Sequence, residues 1–343
     1  MTTPATHRAA ILKTEGQPLS LETVETPTPR PGEALVRLQA AALNHRDLWQ
    51  RKGAYGKMAG LPCALGSDGC GVVEAVGDGA DSAWVGRRVI INPSLDWGED
   101  DEAPGPLWRI LGIPDAGTFA EAVRVSVAQL HDAPAGWSAE EAAALPLAGL
   151  TAHRALFHRG GLKEGRPGQR VLLTGIGGGV SQWALRFARA AGAQVWVTSG
   201  SQAKLETARR EGAAGGALYA SVGWGAALAA QAGPFDLCID SAGGAGWGEI
   251  ADALRPGGRL VFFGATAGAG EIPMRKAFFK QLSILGTAMG SPRDFRDMLD
   301  FIARHDLRPP VDATYDLVDV EAALARMDAG EQTGKIVLKI SRA

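Results

Sequence analysis

Residues 171–183, VLLTGIGGGVSQW, carry glycine at four of the five positions 175–179. Three apolar residues lead in and a helix-like run follows. Glycine lets an anion approach the backbone, and the unpaired N–H groups of a helix start attract a pyrophosphate. Counted back from the AAGA that ends the helix, a G-x-G-x-x-G fingerprint falls on Ile176, Gly178 and Ser181, so only its central glycine is in register. The strand–helix–strand setting, rather than the glycine spacing, is what makes this a nucleotide loop instead of a plain turn. Thr174, Gly175, Gly178, Gly179 and Val180 are its expected cofactor contacts.

The next apolar run, VWV at 195–197, ends in VTSGSQAK. Sites selective for NAD place an acid at this strand end to bond the ribose 2′-OH. Ser199 stands there instead, and the first carboxylate is Glu206. Lys204 falls in the first turn of the following helix, where a cation opposes the macrodipole. A 2′-phosphate resolves that conflict, with Ser199 and Ser201 as hydroxyl donors, so NADPH is the expected cofactor. The other reading of Lys204 is a solvated surface lysine.

These residues need a parallel sheet to hold them. Four apolar runs, 171–173, 195–197, 237–239 and 260–263, lack polar alternation, as strands buried on both faces do. Between the first two, Val180, Trp183, Ala184, Phe187, Ala188 and Ala191 form one helical stripe. Repeated strand–helix units predict a doubly wound parallel α/β sheet over 148–290. The first ~130 residues read instead as short strands and turns, a β-barrel-like domain, with 96–108 an acidic, Pro/Gly-punctuated loop or lobe. An amphipathic helix after 290 and a final strand, GKIVLKI, close the chain.

At 343 residues the chain is long enough for two cores. A net charge of −2 gives no reason to expect nucleic acid or an anionic membrane as partner. Cys63, Cys70 and Cys238 are odd in number and unpaired in spacing, which argues for a reducing compartment. No signal-like or membrane-length apolar run is read, and the expected location is cytoplasmic.

The whole chain resembles the medium-chain dehydrogenase/reductase superfamily. Its landmarks stand in order: AALNHRDLWQRKGAY (41–55), LPCALGSDGCGVVEAVG (61–77), GTFAEAV (117–123), LPLAGLTAHRAL (145–156), the glycine loop, FDLCIDSAGG (235–244), LRPGGRLVFFG (254–264) and TGKIVLKI (333–340). The resemblance implies a GroES-like catalytic domain from both chain ends, 1–147 and 291–343, around a Rossmann NADP-binding domain at 148–290. Catalysis in the cleft between them and homodimers or homotetramers are implied as well. It places Asn44 and Asp47 on the catalytic side, Thr151 beside the nicotinamide ring, Gly264 among the cofactor contacts, and Lys335 as a cofactor contact or else a surface charge on an edge strand. Asn44 is expected to donate its amide to the cofactor or substrate oxygen. For Asp47, fixing its loop through a neighbouring backbone N–H is the favoured role. Tyr55 is open to two readings, a phenol donating to a developing enolate or a half-buried packing aromatic.

Zinc-containing relatives hold their catalytic ion at positions that match Asn44, Ser67 and Leu147, none of them a competent ligand. Asn44 and His45, read as neighbours on a strand, point to opposite faces, so His45 does not substitute. No metal is therefore expected. Without a Lewis acid, hydride transfer suits acceptors that delocalise charge themselves, and the resemblance points to the quinone oxidoreductase-like branch, acting on a quinone or α,β-unsaturated carbonyl. The alternatives are a zinc-type alcohol dehydrogenase and a non-catalytic NADPH-binding protein. A hydrolase and a P-loop ATPase are excluded by the absence of their motifs.

Overall fold

A computed structural model describes residues 5–56 and 59–340. The chain divides into two compact units, residues 1–148 with 291–343, and residues 149–290. The first unit is built on β1 (Glu33–Ala42), followed by a short helix α1 (His45–Arg51), then β2 (Asp68–Val76), β3 (Arg88–Ile91), β4 (Ala122–Ser126) and β5 (Leu130–Asp132). β1 pairs antiparallel with both β2 and β4, and β3 and β5 extend the sheet beyond β2. A smaller three-stranded sheet joins Thr6–Leu12, Ser20–Glu25 and Cys63–Ala64. Leu12, Val36, Leu38, Leu65, Ile91 and Phe119 fill the core between these strands. Each such side chain contributes about 1.5–3 kcal/mol on burial. The acidic stretch 96–108 is a lobe tied at its base, where Ser94–Leu95 pairs with Arg109–Ile110 and Trp97 meets Trp108 edge-on at 5.6 Å.

The second unit holds six parallel strands: β6 (Arg170–Leu173), β7 (Gln194–Ser199), β8 (Gly215–Leu218), β9 (Phe235–Asp240), β10 (Leu254–Phe262) and β11 (Ser283–Gly286). Their order is β8-β7-β6-β9-β10-β11, with β6 at the centre. Val171 pairs with Val195 on one side and Leu237 on the other, which is why those runs show no polar alternation. Two helices follow the first two strands, α2 (Gly179–Ala190) and α3 (Gln202–Arg210). The buried face of α2 is wider than the predicted stripe. Trp183, Ala184, Leu185, Phe187 and Ala188 are joined by Ser181 and Gln182, while Val180 is only half-buried. Ser181 and Gln182 turn inward because they tie the glycine loop to the helix.

From residue 291 the chain is back in the first unit, with α4 (Pro292–His305) followed by β12 (Val311–Asp316) and β13 (Lys335–Lys339). β13 inserts between β1, to which it is antiparallel, and β12, to which it is parallel. It is therefore an interior strand. No helix among the described residues is long and apolar enough to cross a membrane.

Candidate active site and cofactor loop

Because β1 runs antiparallel to both neighbours, its C-terminal end meets the first residues of β2 and β13. Asp68 opens β2 directly across from Ala42, and Lys335 opens β13 as the chain leaves β1 through Leu43 and Asn44. Their side chains converge there. The Lys335 ammonium donates to the Leu43 carbonyl (2.7 Å), to Asn44 Oδ1 (2.7 Å) and to Asp68 Oδ2 (2.9 Å). Asn44 Nδ2 donates to the same Asp68 oxygen at 3.0 Å, and Asp68 Oδ1 accepts the Leu147 N–H at 2.7 Å. Asp68 is 0% exposed, Lys335 3% and Asn44 7%. The amide of Asn44 is held in one orientation, its oxygen to a cation and its nitrogen to an anion.

This arrangement corrects the reading of Lys335 as an edge-strand surface charge. Its strand is interior, and all three of its N–H groups have partners inside the first unit. A second correction concerns residues 44–47. They are the start of a helix, not part of a strand: Asn44 is extended (φ −130°, ψ 153°) and α1 begins at His45. Asp47 Oδ2 accepts the Asn44 N–H at 2.7 Å and the Asp47 N–H donates to the Asn44 carbonyl at 2.9 Å, so Asp47 fixes the turn on which Asn44 sits. The other oxygen, Asp47 Oδ1, is buried with no hydrogen-bond partner. Burial is the main cause that lifts the Asp47 carboxyl to about 6, against the pull of Arg46, the Asn44 N–H and Lys335.

Arg46 organises the adjacent side. It donates to Ser67 Oγ and to the Leu111 carbonyl, both at 2.7 Å, and its guanidinium lies 5.3 Å from the centre of the Tyr55 ring. Tyr55 is 45% exposed, more open than a half-buried packing aromatic.

In the second unit, Thr174 is buried just past β6 and donates to Asp240 Oδ1 at 2.6 Å, tying the loop to β9. Asp240 Oδ2 in turn accepts from the Gly243 N–H and from Trp247 Nε1. Gly175 takes φ +62°, a left-handed conformation that favours glycine. Gly178 is the residue before α2, and no side chain caps that end. The Ser181 hydroxyl lies within hydrogen-bond distance of the Gly175 and Gly178 carbonyls (2.8 and 2.9 Å), and Gln182 Nε2 donates to the Ile176 carbonyl. Ser181 thus braces the loop. The helix start at Gly179 and Val180 carries no side-chain cap. At the end of β7, Ser199 Oγ accepts the Ser201 N–H (3.1 Å) and Ser201 Oγ accepts the Lys204 N–H (3.4 Å). Each hydroxyl serves as acceptor and keeps its proton to donate. The first turn of α3 contains no acid. Gly264 follows β10, where a Cβ would overlap the Ser241 carbonyl oxygen, and Thr151 is buried in the helix Pro146–His153.

Residues 179–304 match the zinc-binding dehydrogenase family model, and residues 30–135 match the alcohol dehydrogenase GroES-like domain. A zinc-type alcohol dehydrogenase-like protein, YogA, of Leptosphaeria maculans is 36% identical, covering 94% of this chain and 95% of its own. A quinone oxidoreductase of Pseudomonas aeruginosa is 30% identical, covering 90% of this chain and 92% of its own. The crystal structure of an NAD-dependent alcohol dehydrogenase superposes with a TM-score of 0.90 at 34% identity, over 97% of this chain and 100% of that one. The chain belongs to the medium-chain dehydrogenase/reductase superfamily.

It is accordingly an oxidoreductase, with a GroES-like domain and a parallel-sheet Rossmann-like domain, and the superfamily binds a nicotinamide cofactor. Zinc, which the matched family model carries in its description, does not fit the side chains present. Asn44 Oδ1 is bound by an ammonium, Ser67 Oγ donates to the Leu111 carbonyl and accepts from Arg46, and Leu147 offers only its backbone. The Lys335 ammonium and the Arg46 guanidinium already hold the side-chain oxygens of Asn44 and Ser67. Burial also pushes the neighbouring thiols away from the thiolate form, Cys63 to about 11 and Cys70 to about 12. Among the described residues no three His, Cys, Asp or Glu side chains are grouped to hold a metal.

The residue that reading the sequence missed is Asp68. Its partners lie 24, 79 and 267 positions away in the chain, so no local pattern marks it. Helix α1 did carry a signal. Asn44 and Asp47 form the N-x-x-D spacing of a capped helix start.

Proposed function

We propose that this protein is an NADPH-dependent reductase that delivers hydride to a quinone or an α,β-unsaturated carbonyl without catalytic zinc. The observation that carries the reading is the buried Lys335 ammonium, bound to Asn44 and Asp68 at the place where a metal-dependent relative needs ligands. The nicotinamide, when bound, supplies the hydride. The acceptor takes it at carbon and moves an electron pair onto its own oxygen, which needs hydrogen bonds and a proton rather than a Lewis acid. One N–H of Asn44 is fixed on Asp68; the second is the donor for that oxygen. The ammonium on the amide oxygen polarises the carboxamide and strengthens that donor. Tyr55, open to solvent, is the proton source for the developing anion. The loop at Gly175–Gly179 takes the pyrophosphate, and Ser199, Ser201 and Lys204 take the 2′-phosphate.

The same reading includes self-association. Met274, Phe278 and Phe279 are exposed beside β11, an edge strand of the second unit's sheet. Large exposed apolar side chains next to an unpaired edge are features of an interface.

The test is a panel of quinones, enones, enals and alcohols with both coenzymes, run with and without chelator, alongside elemental analysis. Chelator-resistant reduction of a quinone or enone with NADPH is expected. Alcohol oxidation abolished by chelator, or one tightly bound zinc per chain, overturns the proposal.

A further inference from the structure

The loop before β6 and the starts of β6, β9 and β10 enclose a hollow of about 180 Å³ at the opposite end of the strands from Gly175–Gly178. A single water needs about 10–15 Å³ on the same measure, so the space admits a small polyatomic ion. Three arginines line it, Arg166, Arg255 and Arg259, with one acid, Asp236. That carboxylate is already satisfied: Asp236 Oδ1 accepts from Arg255 Nε at 2.7 Å and Oδ2 from the Arg170 N–H at 2.8 Å. The other two arginines face no acid. The Arg166 side chain has no hydrogen-bond or ion-pair partner among the described residues, and the Arg259 side chain has one long bond, Nη1 to the Arg159 carbonyl at 3.4 Å.

The local backbone fixes the loop that carries Arg166. Gln169 staples the loop shut, donating to the Lys163 carbonyl at 2.6 Å and accepting the Lys163 N–H at 3.0 Å. Gly161 takes φ +67°, and a Cβ there would overlap Arg259 Nη1, so glycine makes room for the guanidinium. Two guanidinium groups without an acid partner, beside a third already paired to Asp236, leave the hollow with positive donors for an oxyanion.

We propose that this hollow is a second anion site, separate from the glycine loop, that binds a phosphate group through Arg166 and Arg259. The chemistry is shared by inorganic phosphate and by a phosphomonoester, and the experiment separates the two. The intact protein, with its glycine loop saturated by whichever of NAD⁺ or NADP⁺ binds tighter, is titrated calorimetrically with inorganic phosphate, with glycerol phosphate, and with sodium chloride as control. Binding with Kd of about 1 mM or tighter is expected for at least one phosphate. Tighter binding of the ester identifies a phosphorylated metabolite, and tighter binding of phosphate identifies the free ion. The variant Arg166→Gln/Arg259→Gln changes exposed side chains only. It should weaken phosphate at least about tenfold while cofactor affinity is unchanged. Absence of binding in the parent, an equal response to chloride, or undiminished binding in the variant overturns the site.

Discussion

Lys335 and Asp68 form a buried ion pair at 2.9 Å between residues 267 positions apart, at the starts of the two strands that flank the end of β1. Both are buried, so removing one partner leaves the other without its counter-charge. Lys335→Met strands a carboxylate and Asp68→Asn strands an ammonium, and each should destabilise the fold by about 3–5 kcal/mol. The double variant removes both charges and should recover part of that loss, with a coupling of about 0.5–3 kcal/mol. Urea unfolding of the four proteins measures it; strict additivity would mean the pair acts independently.

Asn44 stands between these charges, and the proposed chemistry uses its remaining N–H. Asn44→Ala should lower kcat for a quinone or enone by about 10²–10³, the usual loss when one oxyanion donor is removed. KM for the coenzyme should change little. Lys335→Arg keeps a cation but not the ammonium's three-way geometry, and should lower kcat by a smaller factor. Steady-state kinetics with saturating coenzyme distinguishes these outcomes from a general loss of folded protein.

Asp47 contributes a pH dependence of known sign. Its carboxyl is raised from 3.8 to about 6 in the folded chain, chiefly by burial. A raised acid favours the folded state while protonated, so its contribution is complete below about pH 4 and is lost as pH climbs through about 6. Above that the fold carries a penalty on the order of 3 kcal/mol. Asp47→Asn keeps an oxygen for the Asn44 N–H and removes the titration. Its stability relative to the parent should therefore rise between pH 4 and pH 8. Denaturant unfolding across that range tests it, and a constant difference would show that Asp47 titrates alike in both states.

How much of this was visible in the sequence depends on the range of each interaction. The parallel sheet was, because strands buried on both faces lose alternation locally, as VLL and VWV do, and the helix between them keeps its stripe. The loss of ligand types at Asn44, Ser67 and Leu147 was visible too, since it is a matter of side-chain identity. What replaced them was not. Lys335 sits in the last strand of the chain and reads as an edge, yet the return of residues 291–340 inserts it beside β1. Burial, and with it the meaning of the lysine, follows from that topology. Arg46 was similarly hidden, because its partners Ser67 and Leu111 are distant in sequence.

On the proposed reading, coenzyme choice turns on Ser199 and Lys204. Ser199 is buried at the end of β7, where its hydroxyl accepts the Ser201 N–H, and the first turn of α3 is free of acids. Ser199→Asp restores a carboxylate where a ribose 2′-OH would be bonded and repels a 2′-phosphate. It should reverse the preference toward NADH. Lys204→Ala should weaken NADPH by about tenfold, the worth of one charge-assisted hydrogen bond, and leave NADH unchanged. Fluorescence titration of both coenzymes measures each; equal binding in the parent, unaffected by Lys204→Ala, would remove the 2′-phosphate assignment.

Gly264 tests the cofactor loop from its other side. It lies past β10, packed so closely on the backbone after β9 that a Cβ would overlap the Ser241 carbonyl oxygen. The contact is backbone to backbone, so no rotamer change relieves it, and Gly264→Ala must separate the two segments. The strain should cost about 1–3 kcal/mol, the range for overpacking a tight site. Ser241 adjoins Asp240, which holds Thr174 at the mouth of the glycine loop. Displacement there should pass to the loop, and coenzyme affinity should fall together with stability. Thermal unfolding with and without coenzyme separates the effects. A variant that loses stability yet gains the parent's full increment from coenzyme would show that Gly264 supports only the fold.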